Sequence, residues 1–556
     1  MTSRVGRGLA LAVAVGLALV SIDTGRAQSQ GSGATQGSAA AAANGSGAVI
    51  DMEDDEGGGS GSGSALVAPA DPAQRGTWLV GQLDAAINAR PLLTSRAKIG
   101  VAIVDLSTGA ELYTHDATTG MSLASNAKLL TSVAALGTLG GGFRWRTAVL
   151  VDDKALDETT GIVDGDLYVR GRGDPTLGIA DLRALATEVA ARGVRQIKGK
   201  LVIDDTYFDA DVEAPHFADQ PKERAAFRAP IASFGVSRSS VIVNVIGEPG
   251  GTAKVWLEPD AGDSIKLTKT EVTSVSVGRT RIKIDIKPRK GSKTGELDIE
   301  VTGTIRFADG HWYTKKRIDN PTQFAGEVFK AALAEQGVKF TKKAIATGAI
   351  PVNAKILTAH DSAPLAQVIR EMNKSSDNYY AETVLKTLGA ETRATPAPAT
   401  WADGHAAVQT YLATMGLPPG SYRADNGSGL FDATTVSAKQ MVTLLQGAHA
   451  DYRIGGDLVA SLPVGGEDGT LAKRWRNRAG AGRVRAKTGT LEKVATLAGY
   501  VAVDSNHVIA FAILVNEIPT GQKGPARAMA DDMVDALVAY LDAGSKSAAA
   551  PAPSKK

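Results

Sequence analysis

Apolar and polar positions change period several times along the chain, and those changes divide it. From about Thr77 to Ala89 the apolar residues recur at helical spacing, which predicts an amphipathic helix. Apolar, β-branched runs at Ile99–Asp105 and Ala110–His115 predict two strands joined by the turn Leu106-Ser-Thr-Gly109. The stretch from Met121 to Leu136 is rich in alanine and leucine and predicts a helix. Near the far end, Arg483–Thr490, Thr496–Val503 and Val508–Glu517 read as three more strands, with a turn at Asp504-Ser-Asn-His507. A closing helix is expected from about Ala526 to Leu541. The first and last parts thus predict one helix–sheet–helix domain, its sheet completed by both ends of the chain.

The middle, from about 150 to 350, has another texture. Leu167–Arg170, Gly199–Asp204 and Val241–Val245 alternate like strands, whereas Asp181–Arg192 and Pro321–Gln336 carry helical spacing. From about 246 to 305 short alternating runs of Thr, Val, Lys and Asp predict a small all-β module. The middle therefore reads as an insertion into the first domain, with that module inserted in turn. Beyond it, Leu365–Leu385 is helical on both sides of a polar tripeptide, Ser376-Asp377-Asn378.

The two ends of the chain read differently. Residues 1–27 have a basic start (Arg4, Arg7), an apolar segment from Leu9 to Val20 and the small-residue site Gly25-Arg26-Ala27, which together predict a cleavable export signal. The apolar run is short for a membrane anchor. No cysteine follows the cleavage site, which excludes a lipoprotein, and at most peripheral membrane contact is expected. Residues 28–70 are mostly Gly, Ser, Ala and Gln, with an acidic knot at Asp51-Met-Glu-Asp-Asp-Glu56, and predict a tether without a core. The tail 544–556 reads the same way.

Composition narrows the chemistry. The 556 residues are 43% hydrophobic and 22% charged with a net charge of +2, an ordinary globular balance that gives bulk nucleic-acid binding no support. There are no cysteines, so a thiol nucleophile, thiolate metal sites and disulfides are excluded. The seven histidines are scattered without paired spacing, which argues against a zinc hydrolase.

What remains is serine chemistry. Ser125 and Lys128 are three apart at the start of a helix, a spacing that stacks the lysine over the serine. A desolvated neutral lysine can take the serine's proton, and free N–H groups at a helix start can hold an oxyanion. A second S-x-x-K, Ser95-Arg-Ala-Lys98, leads into a strand, where residues three apart face opposite ways. In Ser376-Asp377-Asn378 a hydroxyl and a carboxamide two apart can face a cleft as proton relay and amide binder; a polar cap between helices is the bland alternative. Lys487-Thr488-Gly489, continued by Thr490, lies on a predicted strand. There the lysine would favour a substrate carboxylate and, as a like charge, depress the pKa of Lys128; Gly489 would clear space for substrate backbone. Its copy Lys293-Thr294-Gly295 sits in a predicted solvated hairpin turn and precedes the S-D-N segment.

S-x-x-K, S-x-N and K-T-G in that order resemble the penicillin-recognising serine acyl-transferases. The 251 residues from 125 to 376 and the 111 from 376 to 487 narrow the resemblance. It is to the class C low-molecular-mass penicillin-binding proteins, the D-alanyl-D-alanine carboxypeptidase/endopeptidase family (peptidase family S13). Gly173-Asp-Pro-Thr-Leu177, Asp204-Asp-Thr-Tyr-Phe208, Arg228-Ala-Pro-Ile-Ala232 and Asn426-Gly-Ser-Gly-Leu430 look like further signatures of that family. The resemblance covers about Ala70 to Ala543. It implies an α+β fold: a β-lactamase-like serine DD-peptidase domain (71–150 and 351–543) with an antiparallel sheet flanked by helices. An α/β domain (151–245 and 306–350) interrupts it and carries a small β domain (246–305).

It also implies an exported, periplasmic or extracellular enzyme that acts on peptidoglycan stem peptides and cross-bridges through a Ser125 acyl-enzyme, with β-lactams as inhibitors. Lys128 would be the base, Ser376 and Lys487 the proton relay, and Asn378, Thr488, Gly489 and Thr490 the substrate binders. The backbone N–H groups of Ser125 and Thr490 would hold the oxyanion. Two departures stand out: Asn426 replaces an aspartate frequent in the family, and Phe431-Asp432 replaces Ser-Arg, which puts an anion where relatives carry a cation. Asp219 or Glu223 could bind a side-chain amine of the stem by position; an exposed loop acid is the simpler reading of each. A β-lactamase or esterase on the same scaffold, or a non-catalytic wall-binding protein, are the alternative functions.

Overall fold

A computed structural model describes residues 66–549, apart from 221, 222 and 293. The expected export signal and nearly all of the expected tether lie outside the described residues.

Five antiparallel strands form the central sheet, in the order Glu111–His115, Lys98–Asp105, His507–Asn516, Val494–Asp504, Val484–Leu491. Both ends of the described chain build it, as the hydrophobic pattern predicts. Its two middle strands from the far end are buried on both faces and so read as nearly continuous apolar runs.

Side chains alternate between the faces, and the faces differ in size. Val101, Ile103, Leu497, Ile509, Phe511 and Ile513 point into one core with the helices Pro72–Asn88 and Lys523–Ala549. Ala102, Ala498, Ala510, Ala512 and Leu514 point into another, against the helices Ala127–Leu139, Leu365–Ser375, Asn378–Thr392 and Ala438–Ala450. The large residues thus anchor the terminal helices. The alanines let the second helical layer come close, and that layer carries the serine and lysine of interest.

The closing helix runs to Ala549, past the expected end at Leu541 and into the expected tail. Gly544 costs such a helix about 1 kcal/mol, which the docked turns before it and the alanines after it offset. Arg478 pairs with Asp532 at 2.8 Å and Asp535 at 2.6 Å, and Arg483 pairs with Asp542 at 2.7 Å, fastening the helix along its length.

Between the second and third strands of the central sheet in chain order comes the long middle stretch. There Leu167–Arg170, the helix Ile179–Ala191 and Leu201–Asp204 form a parallel βαβ unit. Its sheet has the order Ile345–Thr347, Leu201–Asp204, Leu167–Arg170, Arg146–Asp152, Ala354–Asp361. The stretch thus enters and leaves through neighbouring antiparallel strands, Arg146–Asp152 and Ala354–Asp361. The run that reads as all-β contains Ala253–Glu258, Ile265–Val275, Arg281–Pro288 and Leu297–Arg306.

The alanine face generates a test. Ala512→Leu adds three carbons at a fully buried position between the sheet and the second layer, and should cost about 1–3 kcal/mol in urea unfolding. The same change at an exposed site such as Ala180 should cost less than about 0.5 kcal/mol.

Candidate active site

Ser125 lies in a short 3-10 turn, Ala124–Asn126, that runs directly into the helix Ala127–Leu139. Ala124 holds a left-handed φ of 46°, a conformation of order 1–3 kcal/mol above the helical one for a residue with a Cβ. Two close approaches hold the turn in place. A Cβ on Gly429 would sit 2.0 Å from the Ala124 carbonyl oxygen, and one on Gly489 would sit 2.5 Å from the Leu123 carbonyl oxygen. Both glycines are therefore required by backbone packed against this turn. For Gly489 this corrects the expectation that its missing side chain makes room for substrate. The protein's own Leu123 carbonyl and Thr496 hydroxyl fill that space.

Lys128 is fully buried, and its Nζ has three neighbours. Ser125 Oγ is at 2.9 Å, Asn378 Oδ1 at 2.7 Å and the Ser428 carbonyl oxygen at 3.0 Å. Burial pushes its pKa down to about 7, against the opposing pull of Glu382 and Asp377. Lys487, also fully buried, donates to Ser376 Oγ at 2.9 Å and to the Thr488 carbonyl at 2.8 Å. Its pKa is pushed well below the ordinary lysine value, first by burial and then by the charge of Lys128. Desolvation thus lowers Lys128, in line with the expected desolvated lysine, and the departure is in the like-charge repulsion, which weighs on Lys487.

The Ser376-Asp377-Asn378 tripeptide is both a cap and a cleft element. Ser376 closes the helix Leu365–Ser375 in a left-handed conformation, φ 60°. Asp377 caps the next helix by accepting from the Tyr380 N–H at 3.1 Å, and pairs with Arg238 at 2.8 Å. The sharp reversal leaves the Ser376 hydroxyl and the Asn378 carboxamide on the cleft side. Asn378 also donates from Nδ2 to the Phe227 carbonyl at 2.9 Å, so one of its N–H groups stays available to a ligand.

Thr488 Oγ1 donates to Thr470 Oγ1 at 2.8 Å, and Thr490 Oγ1 accepts from Arg527 at 3.4 Å. The structure therefore brings Ser125, Lys128, Asn378, Ser376 and Lys487 into one connected cluster, with Thr488, Gly489 and Thr490 on the strand beside it. The second S-x-x-K is separate: the Ser95 hydroxyl donates to the Leu92 carbonyl, and Lys98 pairs with Glu517 at 2.6 Å. Of the second K-T-G, Lys293 lies outside the described residues, and Gly295 sits in the turn before Leu297–Arg306.

Glu382 belongs to this cluster and escaped the motif reading. It is fully buried, and its two oxygens accept from the N–H groups of Gly427 at 2.9 Å and Ser428 at 2.8 Å. That fixes the loop whose Ser428 carbonyl touches Lys128. A signal for it was present, since Glu382 stands four residues after Asn378 and i, i+4 residues share a helix face. Asn126, donating to Thr496 at 2.8 Å, and Thr470 were likewise missed, and no short pattern points to either.

Asn426 and Phe431 acquire local reasons. Asn426 accepts from the Gly429 N–H at 2.8 Å while its Nδ2 donates to the carbonyls of Leu430 at 3.1 Å and Pro215 at 3.0 Å, bonds that an aspartate could not donate. Phe431 packs edge-on against Phe217, ring centres 5.9 Å apart. Asp219 faces His216 at 3.3 Å, and Glu223 accepts from the Ala225 N–H at 2.7 Å, which suits the simpler reading of each as a loop acid.

An antiparallel sheet covered on one face by a helical layer that opens on a serine and a lysine is the penicillin-binding, β-lactamase-like architecture. The fold resembles the crystal structure of penicillin binding protein 4 (dacB) from Haemophilus influenzae, with TM-score 0.66 and 22% identity over 80% of this chain and 97% of that one. The chain belongs to the D-Ala-D-Ala carboxypeptidase 3 (S13) family, whose profile matches residues 79–539. It is 35% identical to the D-alanyl-D-alanine carboxypeptidase of Actinomadura sp. (strain R39) over 460 residues, 78% of this chain and 80% of that protein. It is 24% identical to D-alanyl-D-alanine carboxypeptidase DacB of Haemophilus influenzae over 432 residues, 77% of this chain and 87% of that protein. With the family comes the class: a serine-type D-alanyl-D-alanine carboxypeptidase.

Glu382→Ala should be costly although no motif includes the residue. Two buried N–H groups lose their acceptors and Lys128 loses a nearby carboxylate. Chemical denaturation should register a loss of about 3 kcal/mol.

Proposed function

We propose that this chain hydrolyses peptidoglycan stem peptides and their cross-bridges through an acyl-enzyme on Ser125. The observation that carries the reading is the arrangement around Lys128. A neutral amine has two N–H groups and one lone pair. With the N–H groups given to Asn378 Oδ1 and the Ser428 carbonyl, the lone pair is left for the Ser125 hydroxyl. That is the geometry of a general base, and a pKa of about 7 makes the neutral form accessible near neutral pH.

Ser125 then attacks the carbonyl that precedes the terminal D-alanine. Lys128 takes its proton, and the backbone N–H groups of Ser125 and Thr490 receive the oxyanion. The leaving amine needs a proton, and Ser376 passes on the one that Lys128 took from Ser125, with Lys487 held 2.9 Å from the Ser376 hydroxyl. Asn378 binds the stem's amide through its remaining N–H, and Thr488 and Thr490 receive the terminal carboxylate. Water releases the acyl group, and no metal or organic cofactor takes part. A β-lactam, as an amide of similar shape, would acylate Ser125 and leave slowly.

The setting follows from the same reading. An export signal over 1–27 would deliver the enzyme to the periplasm or the extracellular side, and no helix among the described residues is long and apolar enough to cross a membrane. We divide the chain into a peptidase domain (71–150 and 351–543), an inserted α/β domain (151–245 and 306–350) and a small β domain (246–305).

Two measurements test the chemistry. Fluorescent penicillin should label the wild-type protein and Ser95→Ala but not Ser125→Ala; labelling that survives Ser125→Ala would mean the wrong copy of the motif has been chosen. The acylation rate should rise with pH through about 7 and fall about tenfold per unit below it, because a protonated Lys128 has no lone pair to offer. A rate flat from pH 5 to 8 would remove Lys128 from the role of base.

A further inference from the structure

Outside this cluster, the most built feature is a cavity of about 280 Å³ where the middle stretch meets the end of the helix Asn378–Thr392. It is lined by Arg170, Arg172 and Arg393, the Asp204 carboxylate, Tyr207 and the stiff run Pro396-Ala397-Pro398. Three guanidiniums face one carboxylate, and that carboxylate is engaged: Asp204 accepts from the Thr206 N–H at 3.2 Å and hydroxyl at 2.6 Å, and faces Arg170 at 3.6 Å. Arg172 lies over the Tyr207 ring, 5.1 Å from its centre, and Arg393 donates to the Tyr207 carbonyl at 3.4 Å. Neither has a carboxylate within 4 Å among the described residues. Both are held by contacts that leave donors of a planar fork unused, and such forks match carboxylates in bidentate fashion.

We propose that this cavity binds carboxylates of a second peptidoglycan stem, the one cross-linked to the stem being cleaved at Ser125. The inference rests on the proposed function for its substrate and deepens it by adding a subsite for cross-linked material. Length arithmetic selects the second stem over the first. Asn378 begins the 15-residue helix, and Arg393 follows its end, so the cavity lies about 22 Å along that helix from the amide binder. A five-residue peptide fully extended spans about 17 Å. A stem with its terminus at Ser125 falls short of the arginines, whereas the neighbour joined through the cross-bridge has the reach. Stem peptides expose free carboxylates along their length, and a cavity of about 280 Å³ has room for an acidic residue.

The test uses full-length protein carrying Ser125→Ala, so that ligands are bound and not consumed. A purified cross-linked muropeptide dimer with free carboxylates should bind about tenfold more tightly than the same dimer amidated at every carboxylate except the one beyond the scissile bond, which Thr488 and Thr490 receive. Arg172→Glu, at an exposed position, should abolish that difference, and Arg172→Lys should keep part of it. Equal affinity of the parent protein for the two dimers would overturn the proposal without any appeal to a variant's folding. So would a carboxylate preference that survives Arg172→Glu together with Arg393→Gln. In the background that retains Ser125, fluorescent penicillin should label Arg172→Glu at the wild-type rate. If penicillin fails to label even the wild-type protein, the acyl-enzyme reading has failed; if labelling is normal and the dimers bind alike, only the second subsite has.

Discussion

Everything at the centre of this molecule depends on keeping one amine out of water. An exposed lysine beside a serine is an ammonium at neutral pH, and an ammonium can donate to a hydroxyl but not deprotonate it. Burial shifts that balance. Lys128 has no exposed surface, and the resulting desolvation outweighs two nearby carboxylates, Glu382 and Asp377, that favour its charged form. The carboxylates matter all the same. Without them a lysine buried this deeply would be driven further down, and a weaker base would take the proton less readily. A pKa near 7 is the compromise between a dry site and an acidic surround.

That dryness has to be built, and the sheet builds it. The alanines at 498, 510 and 512 bring the second helical layer onto the strands, and the glycines at 429 and 489 let a loop and a strand close against the Ser125 turn from opposite sides. The alanines present no more than a methyl group to that layer, and the two glycines have no side chain where the Ala124 and Leu123 carbonyls need the space. The site is therefore made less by the groups that do the chemistry than by the small residues around them.

Much of this was legible in the amino-acid sequence because the signals are local. The strands of the central sheet alternate or run apolar as they should, and S-x-x-K at a helix start needs only the 3.6-residue period to place lysine over serine. Three features escaped. The i, i+4 spacing from Asn378 could place Glu382 on the same helix face, but its role comes from a loop 45 residues away, and no local pattern joins it to Gly427 and Ser428. Gly489 was read as space for a ligand because a strand glycine signals close approach without saying of what. The reach of the final helix to Ala549 was hidden for another reason: composition sees an Ala-, Ser- and Pro-containing tail, whereas docking of the preceding turns carries the helix into it.

The middle stretch is more than an ornament on this arrangement. The Asn378 amide could sit either way round, and the two orientations differ chemically: one offers Lys128 an acceptor, the other a second donor. The Phe227 carbonyl, contributed by the middle stretch, takes a hydrogen bond from Nδ2 at 2.9 Å and so turns Oδ1 toward Lys128. With the amide so turned, Lys128 gives an N–H to Oδ1. The segment that separates Ser125 from Ser376 and Asn378 in sequence thus supplies the contact that orients the Asn378 amide toward Lys128 in space.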